Sequence, residues 1–244
     1  MRIAISEIKQ IVGNDQHRMD NRISNGVRTA LNEVIKQIYE CGKNNVSLIC
    51  FPQWFIGFGS VLNYPNEITE MISSAAKKFK IDVVTGTFRI PGVGMKSKPV
   101  SLFINNQGKI LGEQGKKNLY KLEEQWQIST DSIHTFESQL GKIVISHGDD
   151  CIDPVIYKKI RDIRPDLWIL QTNDAIDTNK FETNNLSFEQ IVKKRNKKLK
   201  CTICVPMLNG EFMHANYHGN GFICNKSGEI IKITNSEKLL ISDL

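Results

Sequence analysis

The chain predicts an α/β layered fold on three observations. Short apolar runs alternate with helix-period segments, those runs are too continuous to have one wet face, and two hairpins of the same design bracket the middle. Arg2 to Ile8 reads as the first strand. The spacing of Ile23, Val27, Ala30, Leu31, Val34, Ile35 and Ile38 gives a helix one apolar face, and the Gly42-Lys-Asn-Asn45 cluster stops it. Val46-Ser-Leu-Ile-Cys-Phe51 is nearly all apolar, as a strand covered on both sides requires, and Pro52, which lacks an N–H for the ladder, closes it. Residues after Pro52 therefore belong at a strand's carboxyl end. Ile68, Met71, Ile72, Ala75 and Phe79 mark a second helix, and Ile81 to Phe88 the next strand. Pro99 to Leu111 predicts a hairpin turned at Asn106-Gln-Gly108, and Phe222 to Ile231 repeats that design. Between them lie a strand from Lys142 to Ser146, a helix from Pro154 through Ile160 and Ile163, and a strand from Leu167 to Thr172; proline suits a helix's first turn. Gly92 to Lys98 and Asn173 to Asn185 read as long, mobile loops. No linker, repeat or composition shift divides the chain, so residues 1–244 read as one domain.

Composition narrows the function classes. Hydrophobic content of 40% and charged content of 24% are those of a soluble globular protein with a sizeable core, which excludes a disordered chain. Charge interrupts Met1 to Glu7 too soon for a signal peptide, and no apolar run approaches the roughly 20 residues that cross a bilayer, so a cytoplasmic location without membrane contact is expected. The six cysteines fall mostly in apolar strands, as reduced buried thiols do. A net charge of +6 and the run Lys193 to Lys200 raise the question of nucleic acid. That run continues the helical pattern of Leu186, Ile191, Val192 and Leu199, so it reads as a solvated helix face, and nucleic acid is not an expected partner.

Three stretches carry the functional signal. The first is Leu48-Ile-Cys-Phe-Pro52-Gln53-Trp-Phe-Ile-Gly57, the second Lys116-Lys-Asn118-Leu119, and the third Gly141-Lys-Ile-Val-Ile-Ser-His-Gly148-Asp-Asp150-Cys-Ile-Asp-Pro154. Together they resemble the nitrilase superfamily of carbon-nitrogen hydrolases, and the similarity runs from Arg2 to the closing Leu239-Leu-Ile-Ser-Asp-Leu244. The resemblance implies a four-layer αββα sandwich and a catalytic triad of glutamate, lysine and cysteine. Laid on that pattern without gaps, Gly141, Asp150 and Pro154 fall in place, while the triad reads Gln53, Lys116, Gly148.

Each exchange has a chemical consequence. An amide accepts no proton at neutral pH, so Gln53 cannot be the general base, a loss worth a factor of roughly 10² to 10⁴. Gly148 has no thiol, so no acyl-enzyme forms there. Lys116 matches the family's oxyanion-stabilising lysine. Glu123 or Glu124 matches its second glutamate, and spacing does not choose between them. A buried ammonium needs an anion, and Asp149 or a nearby glutamate is the expected partner for Lys116. Cys151 is the rescue candidate for the nucleophile, but taking it sets Pro154 too close and Gly141 too far.

Other constellations read as structural. Trp54-Phe55-Ile56-Gly57-Phe58 either lines a pocket or fills an interface. His147 on its apolar strand reads as a satisfied structural histidine. Of the family's arginine-alanine-x-glutamate-asparagine helix motif only Arg195 is kept, with Lys198 in the glutamate's place. Cys201 and Cys204 with His214 and His218 imitate a zinc finger, but the gap of nine residues is short and strand residues three apart face opposite sides, so no metal or other cofactor is expected. The resulting expectation is an inactive pseudoenzyme acting as a binding or assembly subunit, with a small amide or carboxylate as ligand. It would assemble as a homo-oligomer or as a heteromer with an active relative. The alternative is a carbon-nitrogen hydrolase working through Cys151 or a water activated by Asp149.

Overall fold

Strands that are apolar on both faces need cover on both, and two sheets set back to back between two layers of helix supply it. The computed structural model describes residues 1–10, 25–57, 63–121, 123–172, 186–212, 215–232 and 238–244. One sheet has seven strands in the order β16 (Leu239–Asp243), β1 (Arg2–Ser6), β3 (Val46–Cys50), β4 (Asp82–Val84), β6 (Ser97–Ile104) and β5 (Phe88–Pro91), with β7 (Ile110–Gly115) also paired to β6. The other has six, in the order β15 (Ile230–Lys232), β14 (Phe222–Cys224), β11 (Thr202–Val205), β10 (Leu167–Gln171), β9 (Gly141–His147) and β8 (Thr135–Ser138). A small third sheet joins β13 (Ala215–His218), β12 (Asn209–Phe212) and β2 (Lys9–Gln10). The helices are α1 (Asn25–Lys43), α2 (Glu67–Phe79), α3 (Pro154–Ile163) and α4 (Phe188–Leu199).

Period-two alternation within single strands builds the layers. In β3 and the residue after it, Leu48 and Cys50 join the core between the sheets while Ile49 and Phe51 join the core under α1 and α2. In β10, Leu167 and Ile169 face the inter-sheet core, whereas Trp168 and Leu170 pack with Ile156 and Ile160 of α3 and Ile191 and Val192 of α4. The order of layers is therefore helix, sheet, sheet, helix, the αββα sandwich. Each fully buried side chain of this kind contributes about 1.5 to 3 kcal/mol.

Local sequence sets the helix ends. Asn66 and Thr69 form a reciprocal capping box at α2, as Ser187 and Gln190 do at α4. Asp153 caps α3 by accepting from the N–H groups of Val155 and Ile156, with Pro154 in the first turn. The two hairpins are built alike. Asn105 Oδ1 accepts from the N–H groups of Gln107 and Lys109, and Asn225 Oδ1 from those of Ser227 and Glu229.

Two predicted segments differ. The strand expected from Ile81 to Phe88 is divided into β4 and β5, because the chain between them passes so close to the preceding turn that a Cβ on Gly86 would stand 2.1 Å from the Pro52 carbonyl oxygen. The loop expected from Gly92 to Lys98 is the tight end of a β5–β6 hairpin, closed by Gly92 N–H donating to Lys96 O at 3.0 Å, and Ser97 and Lys98 already lie in β6. Ile23 and the loop expected from Asn173 to Asn185 lie outside the described residues. Among the described residues no helix is long and apolar enough to cross a membrane.

Candidate functional site

Polar residues buried at strand ends mark one end of the sandwich. Gln171, the last residue of β10, donates through Nε2 to the carbonyl oxygens of Phe51 and Thr85, each at 2.6 Å. With both amide hydrogens so used, its Oε1 accepts from the Ser101 hydroxyl at 2.5 Å. Ser101 Oγ in turn lies 2.8 Å from His147 Nε2, and the direction of the chain makes the imidazole the donor. Ser101, His147 and Gln171 are fully buried, and the network ties the ends of β3 and β4 in one sheet to the ends of β9 and β10 in the other.

His147 is held neutral within this network. Burial first, and the Lys116 charge second, hold its pKa down to about 3, and its Nδ1 has no hydrogen-bond partner among the described residues, so it is not the fully satisfied histidine that the sequence suggests. It carries no proton to and fro near neutral pH. Its work is to fix the strand end immediately before Gly148.

Gly148 begins a 3-10 turn, Gly148 to Cys151, that connects β9 to α3. Its φ is +48°, a conformation that glycine adopts without steric cost. A Cβ built there would have Lys116 Cε, Lys116 Nζ and Tyr120 Oη each at 3.5 Å, ordinary contact distances. A side chain at this position would thus meet the lysine head directly.

Lys116 follows β7 and is fully buried. Its Nζ donates to Glu123 Oε2 at 2.8 Å and stands 4.1 Å from the centre of the Tyr120 ring. Glu123 Oε2 also accepts from the Tyr120 N–H at 2.8 Å, so one buried carboxylate neutralises the lysine and holds the turn that carries the ring. Of the anions left open by the sequence, Glu123 is the partner, while Asp149 is buried in the adjacent turn. Glu124, expected in the pocket, is exposed instead. One step along the 3-10 turn Glu123 to Gln125 rotates its side chain to solvent, and its carbonyl oxygen accepts from Lys96 Nζ at 2.6 Å.

Asp150 pins the lysine loop to the glycine turn. Its Oδ1 accepts from Asn118 N–H at 2.6 Å and its Oδ2 from Lys117 N–H at 3.1 Å, while Asn118 Nδ2 reaches Asp153 Oδ2 at 3.0 Å. Burial raises the Asp150 pKa to about 6, the backbone donors and Lys116 opposing it. Farther back, Arg195 donates to Ile152 O at 2.5 Å and stacks over Tyr157, so this arginine fastens α4 to the end of the same turn. Lys198 is exposed.

Gln53 stands two residues beyond Phe51, which the network holds. It is fully buried, and among the described residues neither amide atom has a hydrogen-bond partner. Leaving such a group without a partner costs about 1 to 3 kcal/mol. Trp54, expected as pocket lining, has a φ of +58° and packs against Leu208 and Tyr217, with its N–H on Thr87 Oγ1 at 2.8 Å. Phe55 and Ile56 belong to the core under α1 and α2 and not to an interface, and Phe58 lies outside the described residues.

The thiols among the described residues are poor nucleophiles. Burial pushes Cys41 and Cys201 up to about 12 and raises Cys50, Cys204 and Cys224 as well. The Cys151 side chain and His214 lie outside the described residues. Cys204 points into the inter-sheet core and Cys201 into the core under α3 and α4, so the two thiols of the zinc-like motif are on opposite sides of a sheet.

Sequence reading missed Ser101 and Gln171. For Gln171 the sign was present, since it is the one polar residue of an otherwise apolar strand, whereas Ser101 shares its strand with Ser97 and Lys98.

The sequence matches no protein-family model and none of the curated proteins. Solved structures do match. A cysteine-to-alanine variant of the amidase from Nesterenkonia AN1, of the nitrilase superfamily, has a TM-score of 0.81 at 15% identity, over 100% of this chain and 90% of that one. A double variant of that amidase, with glutamate changed to glutamine and cysteine to alanine and in complex with acrylamide, gives 0.80 at 15% identity, over 100% and 90%. The glutamine-dependent NAD+ synthetase from Acinetobacter baumannii gives 0.73 at 18%, over 98% of this chain and 44% of that one. The fold is that of the nitrilase superfamily. The Nesterenkonia amidase shares it over the full length of this chain.

Proposed function

We propose that this chain is a catalytically inactive member of the nitrilase superfamily that binds a small primary amide and serves as a binding or assembly subunit, in a homo-oligomer or beside an active relative. The observation that carries the reading is Gln53, a fully buried amide with both atoms unpartnered among the described residues, at the same end of the sandwich as the Lys116–Glu123 pair and the bare Gly148. Hydrolysis needs a base and a nucleophile. Gln53 is no base, Gly148 is no nucleophile, and His147 already uses Nε2 on Ser101. What is left is recognition. A carboxamide offers one acceptor and two donors and so matches both atoms of Gln53, whereas a carboxylate matches its N–H and leaves Oε1 without a donor. The amidase double variant that holds acrylamide supports the reading from another side, since in that protein the fold retains an amide with glutamine and alanine in place of glutamate and cysteine.

Calorimetric titration with propionamide and with propionate, alongside an assay of ammonia release, tests this. Propionamide should bind and propionate at least tenfold more weakly, Gln53→Leu should abolish the amide signal, and no ammonia should appear. Equal affinity for acid and amide would remove Gln53 from the contact. Ammonia release that Cys151→Ala abolishes would make the chain a hydrolase.

A further inference from the structure

We infer that the outer layer formed by α3 and α4 binds the phosphate backbone of double-stranded nucleic acid, without reading its sequence. Taken alone, the lysine run of α4 is a solvated helix face. The fold changes its setting, because α3 and α4 bury Ile156, Ile160, Ile191 and Val192 on the same side of one sheet and so present their other faces together. Between Asp153 and Asp166 and between Ser187 and Lys200 stand ten Lys and Arg against four Asp and Glu, a surplus equal to the formal charge of +6 of the whole chain. Nine of the ten are exposed: Lys158, Lys159, Arg161 and Arg164 on or just after α3, and five lysines from Lys193 to Lys200. Among the described residues, Arg161 alone of the nine has an ion pair, with the neighbouring Asp162 at 3.6 Å. A cleft of about 450 Å³ at the helix ends is lined by Arg161, Asp162, Arg164, Lys198 and Leu199.

The chemistry of this layer selects its partner. Seven of the nine exposed cations are lysine, the residue that protein interfaces exclude from their centres, and the layer's one large exposed apolar side chain is Val155, so an anchor for an acidic protein is lacking among the described residues. A second copy fits no better, since a two-fold interface would set the nine cations against nine. Single strands are held by exposed aromatic rings, and the described residues of this layer offer none. A duplex needs only cations along its phosphates. At 1.5 Å per residue α4 is about 18 Å long, against one phosphate charge per about 1.7 Å of duplex, so about five phosphates on the facing side come within reach.

Fluorescence anisotropy of a labelled 30-base-pair duplex tests the inference, with DNA and RNA duplexes as separate arms that report which source is preferred. Neutralising about five phosphates predicts a slope of about −4.5 in log affinity against log salt, hence an approximately 500-fold loss between 50 and 200 mM. The pairs Lys158→Glu with Lys159→Glu, and Lys193→Glu with Lys197→Glu, should each weaken binding at least tenfold and lower the slope by about two. Lys36→Glu with Lys77→Glu, on α1 and α2, should leave it unchanged. All of these side chains are exposed, so unchanged melting of each variant separates lost binding from lost folding. No binding to either duplex at 50 mM salt, binding indifferent to the α3 and α4 changes, or equal affinity for polyglutamate would overturn it, the last moving the face to acidic proteins.

Discussion

The Lys116 loop and the Gln53 turn stand at the same end of the sandwich, yet the Lys116 side chain is saturated with partners and the Gln53 side chain has none among the described residues. Lys116 has Glu123 and the Tyr120 ring, and Asp150 and Asp153 hold the residues that follow. Gln53 has two buried polar atoms that no described residue meets. In the family pattern the first region is the electrostatic framework and the second bears the base. On the function proposed above, the framework outlasts the chemistry because it is structural. A buried ammonium without its carboxylate is expensive to fold, whereas glutamine for glutamate and glycine for cysteine disturb no ion pair.

The strongest test breaks the saturated side. Glu123→Ala leaves a fully buried lysine without its anion and removes the acceptor of the Tyr120 N–H. Urea unfolding should show a loss of about 3 to 5 kcal/mol, and the double change Lys116→Met with Glu123→Leu should recover most of it. A loss below about 1 kcal/mol would mean that water solvates the ammonium, and the contrast between the two regions would fail.

Asp150 gives the next effect, and it has a pH signature. Its pKa is about 6 in the folded chain against an ordinary 3.8, so between those values the folded state holds a proton that the unfolded state has lost. Stability from this group is therefore full below about pH 4 and lost as pH rises through about 6. The advantage of the wild type over Asp150→Asn should shrink by on the order of 2 kcal/mol between pH 4 and pH 7, read from unfolding curves across that range. A difference that stays flat with pH would place the carboxyl in contact with solvent.

The two regions also differ in how much of them a sequence can carry. Strands covered on both faces followed from runs such as Leu167 to Gln171, apolar at every position but the last, whereas the four-layer order came from the family resemblance. Lys116, Gln53 and Gly148 were readable because local motifs surround them. The Glu123 or Glu124 choice was not, since a 3-10 turn decides by rotation which of two neighbours faces inward, and composition is blind to rotation. Nor was the Ser101–Gln171–His147 network, which joins residues 46 and 70 positions apart and exists only once the two sheets are stacked. Gly86 marks the same limit. The break between β4 and β5 comes from an approach to Pro52 across sequence, not from the strand's own residues.

On the unsaturated side the expected effects are smaller and of opposite sign to each other. Gln53→Leu removes two unpartnered polar atoms at nearly equal volume and should raise stability by about 1 to 2 kcal/mol, or several degrees in melting temperature, while abolishing amide binding. A loss of stability would show that the amide has partners in the free protein.

Gly148→Ala should be the mildest change, and it bears directly on whether room remains for a ligand. The backbone at φ +48° costs an L-residue about 1 kcal/mol, and the new methyl group would meet Lys116 and Tyr120 at 3.5 Å without overlap. A measured loss of about 1 kcal/mol is thus expected from conformation alone. A loss above about 3 kcal/mol would require a clash, meaning that side chains close over the glycine in solution. The space beside Lys116 would then belong to the core, and Gln53 would be a buried defect instead of a waiting contact.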